Sequence, residues 1–119
     1  MNISNSKNQL LLNLLSAATM RNRVLTNNLV NEHTPGYTRE TVDFEDLLAQ
    51  KLDRGEGDLL AIAPEVVQDE LSPASPDGNN VNVELELNGI AQNRLQYELY
   101  STILSGRMEL MRAAIQEGR

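Results

Sequence analysis

The chain has 119 residues, with 17 acidic and 10 basic side chains, a formal net charge of -7 and no cysteine. This length allows one small domain, and the lack of cysteine excludes disulfides and thiol ligands within these residues. Nucleic acid and membrane surfaces need a clustered basic face, yet residues 41–88 carry twelve acidic and two basic groups. We therefore expect no binding to nucleic acid and no direct insertion into a lipid membrane.

The first predicted element is a helix over residues 1–31. Its apolar side chains repeat by alternating steps of four and three: Leu11, Leu15, Ala18, Leu25 and Leu29. This spacing is typical of a coiled-coil seam, and Asn22 occupies the one polar place in the series, where a lone asparagine fixes the register. The alternative is an ordinary amphipathic core helix with one tolerated polar residue.

Part of this helix has the apolar character of a secretory signal, because residues 10–15 read LLLNLL. Asn13 interrupts that run and no convincing small-residue cleavage site follows within a continuous apolar run, so we interpret it as mature helix. No stretch approaches the roughly 18 consecutive apolar residues of a membrane-spanning helix. If the protein leaves the cytoplasm, we expect an export route without a cleaved signal peptide.

The middle of the chain, residues 32–83, is acidic and rich in turn-forming residues. Pro35 and Gly36 suit the two central positions of a type II turn, and residues 72–80 form a second Pro/Gly-rich stretch. We predict a short helix over residues 44–54, capped by Asp43 and ended by Gly55 in a left-handed conformation.

Residues 81–87 alternate between apolar and polar side chains, which predicts a short strand leading into the last helix. A helix that begins near Glu84 is the alternative, because it places Leu87, Ile90 and Ala91 together.

The last predicted element is a helix over residues 84–119. One apolar stripe, interrupted by Arg94 and Ser101, contains Ile90, Tyr97, Leu104, Met108, Met111 and Ile115. A second apolar ridge beside it contains Leu95, Leu99, Ile103 and Leu110. A helix that is apolar over more than half its circumference is expected to contact more than one neighbour.

These elements predict a mainly α fold in one domain over residues 1–119. Long N- and C-terminal helices pair as a coiled coil around a loop-rich middle, which contains a short helix and possible short strands. Because the chain is poor in aromatic residues and acidic, we expect parts of it to be disordered in the monomer.

Catalytic chemistry finds little support in the sequence. His33 is the only histidine, and the acidic clusters around residues 43–46, 53–58 and 69–70 fit no metal-binding frame. No phosphate loop, nucleophile elbow or zinc pattern occurs. We expect no catalytic site, cofactor or metal ion; a small metal-dependent hydrolase and a soluble helical adaptor or export chaperone remain as alternatives.

Residues 27–39 read NNLVNEHTPGYTR, which resembles the signature of flagellar rod and hook proteins, commonly written NNIANANTPGY. The residues that match are Asn27, Asn28, Asn31, Thr34, Pro35, Gly36 and Tyr37. Val30, Glu32 and His33 depart from the pattern. The chain is similar in particular to proximal-rod subunits, which also carry residues like those at 42–44, 77–79 and 104–107.

The resemblance implies a structural, non-enzymatic subunit of the bacterial flagellar basal body. It implies export by the flagellar type III apparatus, assembly into the periplasmic rod, and termini that are partly disordered in the monomer before assembly. The implied partners are other copies of the chain, other rod proteins, the rod-base adaptor protein and the export apparatus. The expected interface contains Leu11, Leu15, Ala18, Asn22, Leu25, Leu29, Tyr97, Leu104, Met108, Met111 and Ile115, and Tyr37 with the motif asparagines is expected to touch neighbouring subunits.

Overall fold

The computed structural model describes residues 2–55 and 58–118 of the chain. Two long helices, α1 (Asn2–Val30) and α3 (Val83–Glu117), enclose a middle segment in the chain order. The middle segment contains strand β1 (Glu40–Asp43), helix α2 (Glu45–Arg54), a short 3-10 helix (Leu59–Ala61) and strand β2 (Glu65–Gln68). The prediction of a mainly α fold with long terminal helices is therefore confirmed.

Helices α1 and α3 pack against each other as an antiparallel hairpin. Near the start of α1, the Asn8 side-chain amide lies 3.4 Å from the Met111 sulfur, and further along, the Asn93 amide donates to the Ala18 carbonyl at 2.7 Å. The described residues extend over 67 × 30 × 15 Å with a radius of gyration of 18.2 Å. A compact chain of this length would have a radius of about 13.5 Å, so the subunit is elongated along the hairpin.

The two short strands pair in antiparallel orientation, with Glu40 opposite Gln68 and Asp43 opposite Glu65. Helix α2 and the 3-10 helix lie in the connection between the strands. Every residue of β2 is exposed, whereas Val42 of β1 is buried against the rest of the chain. This two-stranded sheet confirms that the middle contains short strands.

The strand predicted over residues 81–87 is wrong, and the alternative helix is present. Asn82 has extended backbone angles and its side chain accepts a hydrogen bond from the Leu85 N–H at 3.2 Å, so it caps α3. An N-cap asparagine satisfies one of the backbone donors that a helix start leaves free. Glu86 is then turned inward and is fully buried, whereas the strand pattern would have placed it in solvent.

The cap predicted for α2 is also wrong in part. Asp43 is the last residue of β1, and the N-cap position belongs to Phe44, which makes no side-chain capping bond. The Phe44 ring is needed in the core, so this helix start relies on packing instead. Gly55 ends α2 in the left-handed conformation at φ 61°, as predicted.

A small apolar core forms where the middle segment packs on α1. Phe44 and Ala17 have no exposed surface and Ile62 is 9% exposed. They are joined by the partly buried side chains Leu14, Leu47, Leu48 and Leu59. Because Phe44 is the only phenylalanine of the chain, it supplies the largest buried side chain of this core.

We expect Phe44→Ala to lower the free energy of unfolding by about 3–5 kcal/mol, because it leaves a cavity at the centre of a small core. Urea denaturation followed by circular dichroism measures this change. The matched control is Leu71→Ala, since Leu71 is 96% exposed and its truncation is expected to change stability by less than about 0.5 kcal/mol. Equal effects of the two variants would contradict the assigned core.

Candidate assembly surface

The sequence motif spans the end of α1, and the residues after the helix form a folded turn that reverses the chain. The Asn31 side chain donates to the Asn27 carbonyl at 2.8 Å and accepts from the Thr34 hydroxyl at 3.1 Å. The Tyr37 N–H donates to the Thr34 carbonyl at 3.2 Å across Pro35 and Gly36, and Gly36 has φ 73°. The type II turn predicted for Pro35 and Gly36 is confirmed, because only glycine takes positive φ there without strain.

This turn is held from the other side by the second glycine-containing loop. Asn79 is buried, and its side chain donates to the Asn31 and Thr34 carbonyls, each at 2.8 Å. Gly78, at φ 89°, approaches so closely that a Cβ atom there would lie 3.3 Å from the Gly36 Cα. The two Pro/Gly-rich stretches therefore form one packed junction at the end of the helical hairpin.

Asn28 connects this junction to β1 and α3. Its side chain exchanges two hydrogen bonds with the Glu40 backbone, at 2.8 and 2.9 Å, and donates to the Glu86 carboxylate at 3.2 Å. The Tyr37 hydroxyl donates to Asn28 at 3.1 Å and accepts from Asn27 at 3.1 Å. Burial, and then the Glu40 charge, raises the pKa of Tyr37, so the hydroxyl keeps its proton for Asn28. The hydrogen bonds described here for Tyr37, Asn27 and Asn28 are all made within the subunit.

Arg39 binds two carboxylates and is only 7% exposed. Its guanidinium donates to Glu86 at 2.6 Å and to Asp69 at 2.5 Å, while its backbone N–H donates to the Asn80 side chain at 2.6 Å. Asn80 in turn donates to the Asp69 carbonyl at 2.6 Å. Since removing Arg39 would leave the fully buried Glu86 carboxylate without its cation, this cluster holds α3, β1 and the loop after β2 in one arrangement.

The charges in this cluster shift the ionisation of its members. Burial alone would lower the pKa of Arg39, but its hydrogen bonds to Glu86 and Asp69 outweigh that effect and the pKa is raised. Hydrogen bonds from the Ser72 hydroxyl, and then from Arg39, hold the pKa of Asp69 well below its usual range. Both groups therefore remain charged at neutral pH.

Sequence analysis missed the buried roles of Arg39, Asn80, Glu86 and Asn93. Charged and amide residues are mostly exposed in proteins, and the alternation of residues 81–87 would have placed Glu86 in solvent. Only for Arg39 did the sequence hint at a structural role, because this residue stands two positions after Tyr37, the last residue of the rod-protein motif.

The predicted assembly residues divide into three groups by their place in the subunit. Ala18 and Leu25 are buried between α1 and its neighbours. Five residues are half-buried: Leu11, Leu15, Leu29, Leu104 and Met111. Four residues are exposed: Asn22, Tyr97, Met108 and Ile115. The two predicted stripes thus meet inside the hairpin, and one edge of them stays open to solvent.

A second surface on α3 is also uncovered. The ridge predicted from the sequence is exposed by 67% at Leu95, 56% at Leu99, 42% at Ile103 and 72% at Leu110. Exposed apolar patches of this extent on a small protein mark surfaces that other molecules cover. We call these four residues the α3 ridge.

The described residues contain neither a candidate metal site nor a candidate membrane-spanning helix. Among residues 2–55 and 58–118, no group of three or more histidine, aspartate or glutamate side chains lies close enough to hold a metal ion. No helix in the same residues is long and apolar enough to span a membrane.

The fold and its surfaces define a class of protein: an elongated subunit whose terminal helices pair and whose apolar residues are left for contact with other chains. No protein-family model matches the chain. Curated relatives do match it over most of their length. The chain is 31% identical to the flagellar basal body rod protein FlgB of Bacillus subtilis, with 90% of this chain and 91% of the relative covered.

The FlgB proteins of Escherichia coli and Borrelia hermsii are 29% and 30% identical to the chain. The alignment covers 87% of this chain and 88% of the Escherichia protein, and 75% and 80% for the Borrelia protein. This chain belongs to the FlgB family of flagellar basal body rod proteins. It is a structural subunit of the flagellar rod, and its rod-protein relatives indicate a non-enzymatic role.

We expect Glu86→Ala to lower the free energy of unfolding by about 1–3 kcal/mol, because the buried Arg39 and Asn28 donors lose their acceptor while the Arg39 charge keeps Asp69. Urea denaturation of the purified chain tests this. Glu98→Ala is the control, since Glu98 is exposed on the same helix, and its loss should change stability by less than about 0.5 kcal/mol. A loss for Glu86→Ala no greater than the control would contradict the role of the cluster.

The lowered pKa of Asp69 predicts a pH dependence of stability. Its carboxylate stabilises the folded chain fully above the unfolded pKa of about 3.9, and this contribution is lost as the pH falls towards the lower folded pKa. We expect the free energy of unfolding to fall between about pH 5 and pH 2, and to fall less in Asp69→Asn. Denaturation series at several pH values compare the two chains, and parallel curves would argue against this assignment.

Proposed function

We propose that copies of this chain assemble into the proximal rod of the flagellar basal body through the outer surfaces of the α1/α3 hairpin. The observation that carries the proposal is the α3 ridge, which includes Leu95 and Leu110 and which the subunit itself leaves uncovered. Burying one leucine side chain contributes roughly 1.5–3 kcal/mol. Repeated along a lattice, such contacts offset the ordering cost of a small subunit.

The shape of the subunit supports the same proposal. The subunit has a largest dimension of 67 Å, and each helix of the hairpin presents one face to its surroundings. Different faces can then contact different neighbours, and contacts that are not self-complementary build open helical arrays. The predicted interface residues that remain exposed, namely Asn22, Tyr97, Met108 and Ile115, belong to this assembly surface.

The resemblance to rod proteins supports a further part of the proposal, which concerns the export route and the partners of the chain. The chain leaves the cytoplasm through the flagellar type III apparatus without a cleaved signal peptide and assembles in the periplasm. Its partners are further copies of itself, other rod proteins, the rod-base adaptor protein and the export apparatus. A chain that stays in the cytoplasm as a stable helical dimer would instead be the adaptor or export chaperone that the sequence left open.

The assembly surface is tested by placing a charge on it. We expect Met108→Asp and Leu99→Asp to abolish rod formation and motility, because a charge buried at an interface without a partner costs several kcal/mol. Both residues are exposed, by 54% and 56%, so the subunit should still fold. Motility assays and electron microscopy of basal bodies, in a strain whose own copy is deleted, measure the effect.

Two controls accompany these variants. Leu52→Asp changes an apolar side chain that is 58% exposed on α2 and should leave motility intact. Detection of each variant outside the cytoplasm separates failed assembly from failed export. Motile cells carrying Met108→Asp and Leu99→Asp would refute the proposed surface.

A further inference from the structure

Helix α3 contains a glycine that the rest of the subunit does not explain. Gly106 lies inside the helix, where glycine is less favourable than alanine. A Cβ atom built on Gly106 would have no neighbour within 4 Å beyond the backbone of its own helix. At Gly89, also in α3, a Cβ atom would lie 3.2 Å from the Leu25 side chain of α1. Gly89 therefore allows α1 to approach, whereas no described part of the subunit comes close to Gly106.

Gly106 lies on the same side of the helix as most of the α3 ridge. Leu99 and Ile103 precede it by seven and three residues, and Leu110 follows it by four, spacings that share one helix face. All four residues are exposed. Because glycine lets another backbone come close, the ridge fits a second helix that packs along α3 and comes closest to it at Gly106.

The ridge is complementary to itself when a second copy of α3 runs in the opposite direction. Leu99 and Ala113 both lie seven residues from Gly106, so reversal about Gly106 brings a large side chain opposite a small one, which favours close packing. Ile103 and Leu110 lie three and four residues from Gly106, and the reversal brings them together as an apolar pair. Gly106 then meets Gly106 of the other copy, where the two helices come closest.

The charges beside the ridge follow the same symmetry. Glu98 and Arg112 stand one residue before Leu99 and Ala113, so they flank the ridge on one side. Both are exposed, and neither forms a salt bridge within residues 2–55 and 58–118. The reversal brings Glu98 of each copy opposite Arg112 of the other. Opposite charges in such flanking positions select the partner and the orientation of paired helices.

We propose that, before assembly, the α3 ridge binds the α3 ridge of a second copy in antiparallel orientation, with a two-fold axis at Gly106. A self-complementary contact closes at two copies, so this pair does not extend into a rod. It covers apolar surface that would otherwise associate without specificity, and it opens when the ridge is needed for assembly. The pairing depends on the residues of α3 alone; only its opening on assembly rests on the proposed function.

The pair is expected to dissociate on dilution, because polar groups share the paired face. Thr102 and Glu109 lie four residues before and three residues after Gly106, and both are exposed. The reversal brings them together, and the Thr102 hydroxyl can donate to the Glu109 carboxylate. Covering this polar pair gains less than covering leucine. The ridge is therefore released when a larger assembly surface competes for it.

The first test exchanges the flanking charges. Glu98→Arg and Arg112→Glu each place like charges opposite each other and should raise the dissociation constant of the pair about tenfold. The chain that carries both exchanges again has opposite charges across the axis and should pair like the wild type. Sedimentation equilibrium of the purified chains at several concentrations measures these constants. Single exchanges without effect, or a double exchange that does not restore pairing, would overturn the proposal.

The second test fills the place where the two helices come closest. Gly106→Leu should raise the dissociation constant more than about tenfold, because its side chain holds the two backbones apart. The unfolding temperature of the dilute chain should stay constant or rise, since leucine favours a helix more than glycine does. Asn88→Leu adds the same side chain at an exposed position seven residues before Leu95 and should leave pairing unchanged. Undiminished pairing of Gly106→Leu would overturn the proposal.

These outcomes distinguish the pairing from the assembly role. If the wild-type chain pairs in solution but is absent from purified basal bodies, the proposed function fails and the pairing stands. If the wild-type chain is incorporated into basal bodies and is monomeric in solution at every concentration, the pairing fails alone.

Discussion

The buried carboxylate of Glu86 is the constraint on which the rest of the subunit depends. It has no exposed surface and is bound by Arg39 at 2.6 Å and by Asn28 at 3.2 Å. A buried charge is tolerated only when it is paired and hydrogen-bonded, so the first turn of α3, the end of α1 and the strand between them must arrive together. The proline–glycine turn brings Arg39 back to that point.

The apolar core beside this polar centre is small. Phe44 packs against Ala17 of α1, and both are fully buried. Along most of the hairpin, each long helix contacts the other helix on one side and solvent on the opposite side. Hydrophobic burial is the main favourable term in folding, and much of this chain's apolar surface is still exposed on the α3 ridge. This exposed apolar surface is open to contact with other chains, which is consistent with the assembly proposed for a rod protein of the FlgB family.

Individual patterns in the sequence predicted different amounts of this structure. The steps of four and three around Leu25 and Leu104 predicted both long helices, because helix periodicity is a local property that packing reinforces. The alternation over residues 81–87 predicted a strand and was wrong, because the Asn82 cap and the inward turn of Glu86 favour a helix there. Asp43 was expected to cap α2. Asp43 lies in β1 instead, because the burial of Phe44 in the core places Phe44 at the N-cap position.

The sequence by itself determined the helix stripes, the Pro35–Gly36 turn and the resemblance to rod proteins, since each depends on residues close together in the chain. Only the tertiary structure decided which polar residues are buried. Arg39 and Glu86 are 47 residues apart, and Asn93 and Ala18 are 75 apart, so no local pattern can reveal that they meet. The same long-range packing left the α3 ridge exposed, and the contacts with neighbouring subunits are inferred from that ridge.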